Sequence, residues 1–188
     1  YAVPLFETNE PIPNFLELFP SILGDPNPRI VETALFLLQK IISRYYDDFQ
    51  QQIWTYSQPL LEILSKATDI PVVASEICVT LSMIKNLPNC KDVITEMLQY
   101  GSTESQLFSR VLFESIKKII EETSDYNKIS EMIPYLVDYA KLGMTEQGLQ
   151  HNRSDILFMF SAICLKSDKF ISNYFSDIYP LLVQCYEQ

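Results

Sequence analysis

The sequence predicts an all-α protein built from paired helices that recur about every 40 residues. Three observations predict it. Glycine is scarce: Gly24, Gly101, Gly143 and Gly148 are the only four in 188 residues, and each lies between apolar-periodic segments, whereas sheet proteins need glycine in their many turns. Apolar residues recur at helical rather than alternating spacing, and a 47% hydrophobic content supplies a sizeable core and excludes disorder. Finally, Pro20, Pro59, Pro134 and Pro180 stand in one recurring frame, in which Pro20 to Pro180 covers 160 residues in four steps. Five residues before them stand Phe15, Trp54, Ile129 and Phe175, and two residues after them Ile22, Leu61, Leu136 and Leu182. The segment 90–100 fits the same frame with Thr95 in place of the proline.

Taken in order, the proline-bearing segments are the A helices and the segments between them the B helices. The first A helix surrounds Pro20, with Leu16, Phe19, Ile22 and Leu23 at helical spacing. Its B partner spans 28–44, where Pro28 occupies the first helical position and its missing N–H costs nothing. Ile30, Ala34, Leu38 and Ile41 share one face of that helix. The second A helix surrounds Pro59, and its partner spans 71–87, opened by Pro71 and striped by Val73, Ile77, Leu81 and Ile84. The third pair is 90–100 with 104–122, the latter capped by Thr103 and Gln106 as a capping box. The fourth is the helix around Pro134 with 154–166, joined by a long loop at 143–152. The last A helix, Lys169 to Tyr186, has no B partner, and fraying or self-association is expected of it. A proline inside a helix removes a hydrogen bond and costs about 3 kcal/mol. The shared upstream apolar position favours a bend that lets each A helix lie across its partner, over the alternative that each proline opens a short helix.

Chemistry that would support catalysis is sparse. His151 is the only histidine and stands in a polar stretch without a Cys or carboxylate at ligand spacing, so neither a zinc site nor a Ser–His pair is visible. No phosphate-cradling glycine motif occurs. The sequon at Asn152-Arg153-Ser154 is read as chance, and the pairs Asp47-Asp48 and Glu121-Glu122 as solvated helix ends. No catalytic, cofactor or metal residues are assigned, and an enzyme is not expected. Cys78, Cys90, Cys164 and Cys185 lack CxxC spacing and read as reduced thiols of an intracellular protein. The longest apolar run, Ile156 to Leu165, is too short to span a bilayer, so no membrane insertion is expected. The chain carries no initiator Met and no leader, and is expected to be a piece of a longer protein.

The charge points to binding. Fourteen basic against 24 acidic residues give −10, which repels phosphate backbones and anionic lipid, so direct nucleic-acid binding is not expected and basic protein segments are the natural complement. Opposite the core faces of the B helices the pattern places Glu32, Phe36 and Gln39; Glu76 and Thr80; Glu114, Lys118 and Glu121; and Asp155 and Met159. Carboxylates interleaved with apolar side chains suit an extended basic segment, pairing its charges and covering their stems.

The first pair resembles a HEAT repeat, through apolar–Pro–x–x–Leu followed by Asp25, Pro26, Asn27, Pro28, Arg29, Ile30 and then Ala34-Leu35. The resemblance implies a right-handed α-α superhelix of the HEAT/armadillo-like solenoid kind, with four helix pairs plus a terminal helix over residues 1–188. The repeats fall at 12–46, 49–87, 90–123, 126–166 and, in part, 168–188. The family's loop ladder of Asp and Arg maps to Asp25 and Arg29, and later repeats lack the pair. The irregular period and acidic balance, with segments such as 112–142 and 174–188, look like the importin-β (karyopherin-β) superfamily. That resemblance implies a nuclear transport receptor of cytoplasm and nucleus, holding basic cargo on its B-helix surface. Ran-GTP and FG nucleoporins would be partners through the parent chain. The alternative is a HEAT scaffold subunit of a phosphatase regulatory or chromosome-associated complex.

Overall fold

The computed structural model describes residues 11–66, 70–100, 106–145, 153–166 and 168–186. Among them there are nine helices and no strand: α1 (Pro11–Ile22), α2 (Pro28–Thr55), α3 (Ser57–Lys66), α4 (Pro71–Met83), α5 (Cys90–Tyr100), α6 (Gln106–Glu122), α7 (Tyr126–Thr145), α8 (Arg153–Lys166) and α9 (Asp168–Tyr186). The chain forms two compact units, Tyr1–Ile84 and Lys85–Gln188.

In the first unit, α2 packs on α1, α3 and α4, and α3 packs on α4. The entry to α2 follows from its sequence. The Asn27 side chain accepts a hydrogen bond from the Arg29 N–H at 3.1 Å, and Pro28 begins the helix where its missing donor is harmless. Asp25 accepts from the Asn27 N–H at 2.8 Å, so its carboxylate braces the turn, and among the described residues no ion pair joins it to Arg29. Val31, Ala34, Leu35, Leu38, Ile41 and Ile42 form the buried stripe, whereas Ile30 is exposed. Pro71 likewise opens α4, and Val73, Ile77, Leu81 and Ile84 are all buried.

The boundary expected between the first two repeats differs. No proline or glycine stands between Arg29 and Gln58, and α2 runs on to Thr55, kinking at Tyr45 and Phe49 instead of ending. Pro59 then falls in the first turn of α3, where it opens a short helix rather than bending a long one. Trp54, five residues upstream, belongs to α2 and donates its indole N–H to the Tyr46 hydroxyl at 3.0 Å. Pro20, Pro134 and Pro180, by contrast, lie inside α1, α7 and α9.

The helix around Pro20 shows how its cost is met. A proline at position 20 cannot donate to the carbonyl of Leu16. That carbonyl instead accepts the Tyr56 hydroxyl at 2.6 Å in a buried hydrogen bond. Tyr56 is buried against the ring of Phe19, with centroids 5.0 Å apart. The residue that breaks α2 from α3 thus replaces the donor lost in α1.

In the second unit the helices sort into two sets. α5, α7 and α9 pack in succession, α6 packs on α8, and the sets meet through α5–α6, α7–α8 and α8–α9. The core comprises Leu112, Phe113, Ile116, Ile119 and Ile120 of α6, Ile129, Met132, Ile133, Leu136 and Val137 of α7, and Met159, Phe160 and Ile163 of α8. The loop expected at 143–152 does not begin at Gly143, because α7 runs on through it to Thr145. The capping box at Thr103 and residues 146–152, with His151 and the sequon's Asn152, lie outside the described residues.

Candidate protein-binding face

The residues predicted to form a binding face divide by what α2, α4, α6 and α8 do with them. Glu32 and Phe36 project from α2 into solvent, Phe36 50% exposed with the Lys40 ammonium 4.8 Å from its ring centroid. Glu114 and Glu121 are exposed on α6, each in a pair four residues apart, with Arg110 at 3.1 Å and Lys117 at 3.7 Å. Such exposed pairs contribute about 0.3–0.5 kcal/mol, so a cationic ligand displaces them at little cost. Lys118 is exposed as well.

Gln39, Glu76 and Thr80 serve a different purpose. The Gln39 amide donates to the Glu76 carboxylate at 2.7 Å and to the Thr80 hydroxyl at 3.1 Å, while that hydroxyl donates to the Glu76 carbonyl at 2.7 Å. This network ties α2 to α4. Thr80 is fully buried, which corrects its expected place on the face: α4 is packed against both α2 and α3, so more of its circumference is covered than one stripe implies. Met159 is also fully buried, in α8 between α6 and α9. Asp155 lies in α8, and its side chain is outside what the structure describes.

One regularity escaped the sequence reading. Side-chain hydrogen bonds between distant residues span close to one repeat: Tyr56 to Leu16 is 40 residues, Gln39 to Glu76 is 37, Ser124 to Asn86 is 38, Lys128 to Pro88 is 40, Lys141 to Asp177 is 36 and Lys166 to Thr123 is 43. In the second unit several of these gather at the loops. Asn86, at φ 50, accepts both the N–H and the hydroxyl of Ser124, and Lys128 donates to the carbonyl of Pro88. Asparagine and lysine there bridge successive loops, in place of the Asp–Arg ladder expected at the first.

Burial pushes the Cys78 thiol up to about 12 and raises Cys90 and Cys164. Among the described residues no group of three or more His, Cys, Asp or Glu is placed to hold a metal, and no helix is long and apolar enough to cross a membrane. No family model matches this chain, and no curated protein or solved structure matches it.

Proposed function

We propose that this chain is a protein-binding segment made of HEAT-like repeats that continue as a solenoid and hold a basic, extended protein segment, as the cargo surface of an importin-β-like transport receptor does. The observation that carries the reading is the set of hydrogen bonds one repeat apart. Within each unit they join helices to their equivalents at that interval, which is how repeats stack, and stacked repeats bind extended chains. The acidic balance supplies the complement to lysine and arginine. Glu32 and Phe36 in the first unit, and Glu114 and Glu121 in the second, are exposed side chains that each unit offers to such a segment, while Gln39, Glu76 and Thr80 tie α2 to α4. This last role also favours the second reading, a scaffold in which the same face is structural.

Titration of a fluorescent lysine-rich peptide with the chain, at low and physiological salt, separates the two. Receptor-like binding predicts saturation at low salt and a loss of about fivefold in affinity for Glu32→Lys, since an exposed pair contributes at most about 1 kcal/mol. Release by Ran-GTP assigns the transport role. Failure to bind at low salt, or indifference to Glu32→Lys, leaves the scaffold.

A further inference from the structure

We infer that Glu32 and Phe36 of α2 anchor an arginine of the bound segment, its guanidinium lying on the Phe36 ring and pairing with the Glu32 carboxylate, an assignment that rests on the function proposed above. The carboxylates expected on the binding face are not equivalent. Glu114 and Glu121 are each paired with a cation of their own helix, and Glu76 accepts the Gln39 amide. Glu32 is exposed, and among the described residues it joins no ion pair. One turn further along α2 stands Phe36, half exposed, with the Lys40 ammonium 4.8 Å from its ring centroid. That ring therefore already holds a cation at the surface. Lys40 is itself exposed and joins no ion pair among the described residues, so an incoming cation displaces it readily.

The pair stands on the side of α2 that α4 borders. Pro28 and Val31 of α2 line one cleft with Ile70 and Val73 of α4, and Gln39 meets Glu76 and Thr80, so the two helices run side by side in one direction. Around α2, Glu32 lies about 20° and Phe36 about 60° from Gln39. A helix packed on the far side of α2 would leave both open. Their spacing then selects the cation. An ammonium is a compact point charge, which here takes the ring, as Lys40 does, or the carboxylate. A guanidinium is planar, so its face lies on the ring while the N–H groups of its edge reach a carboxylate one turn away. Arginine uses both groups at once. Lys40 lies one turn beyond Phe36 and Glu32 one turn before it, so the guanidinium meets the carboxylate on the side away from the lysine it displaces.

Anisotropy titrations of the full chain at low salt test the anchor with two labelled peptides of equal length and charge, one carrying arginine and the other lysine at every basic position. The arginine peptide is expected to bind about two- to fivefold more tightly. Phe36→Leu keeps apolar bulk but removes the aromatic face, and should abolish that preference. Glu32→Gln should weaken the arginine peptide more than the lysine peptide. Lys40→Met clears the ring and removes a like charge, and should strengthen the arginine peptide. All three side chains are exposed, so each variant should keep the helical signal and melting temperature of the parent. Equal affinities, a preference that survives Phe36→Leu, or a Glu32→Gln loss no larger for arginine than for lysine overturns the anchor and leaves the binding of basic segments standing. Failure of both peptides to bind overturns the two together.

Discussion

At the scale of single residues, the exchange between Pro20 and Tyr56 makes a sharp prediction. Tyr56→Phe keeps the ring against Phe19 but removes the hydroxyl that donates to the Leu16 carbonyl, and an unsatisfied buried acceptor costs about 1–3 kcal/mol. In a Pro20→Ala background the backbone N–H returns and takes that carbonyl, so the same substitution should cost less than about 1 kcal/mol. Urea unfolding of the four proteins measures the coupling, and additive losses would sink the account. Tyr56 also sets an alkaline limit. Its phenol is pushed from 10.0 up to about 12, chiefly by burial, with the Glu17 charge adding and a Gln52 hydrogen bond opposing. The folded state holds this proton more tightly than the unfolded chain. The associated stability is complete below pH 10 and is lost as pH rises towards 12. The stability gap between the parent and Tyr56→Phe should therefore narrow over that window and be flat at neutral pH.

At the scale of elements, helix starts were legible where a local rule decides them, and failed where neighbours do. Pro28 and Pro71 mark the first residues of α2 and α4, and 90–100 is α5 to the residue. The end of α2 was not legible, because nothing in 29–55 stops a helix and its kinks at Tyr45 and Phe49 carry neither proline nor glycine. Thr80 was misplaced for another reason. A threonine that bonds its own helix at Glu76 hides its polarity, and a single stripe does not reveal that α4 has two neighbours. The phase of α2 is nevertheless firm enough to test. Ala34 is 4% exposed, and Ala34→Glu should cost about 3 kcal/mol or more, since it buries an unpaired charge. Phe36→Glu forfeits the contact with Lys40, about 0.5–1 kcal/mol, but places its carboxylate four residues before that lysine, a favourable helical pair. Its net effect should stay within about 1 kcal/mol in thermal melts. Equal losses in both variants would put the stripe on the wrong face.

At the scale of the whole molecule, the net charge of −10 sets the sign of the salt dependence that the proposed function requires. On that proposal a lysine-rich segment is drawn by the field of the protein and by exposed carboxylates such as Glu32, so added salt screens the attraction and binding should weaken from low to physiological salt. Labelled peptide followed by anisotropy reads the change, and Glu32→Lys should reduce it. Glu76→Lys is not a clean substitute, since its carboxylate holds Gln39 and the contact of α2 with α4. Binding indifferent to salt would show that carboxylates such as Glu32 are not its seat.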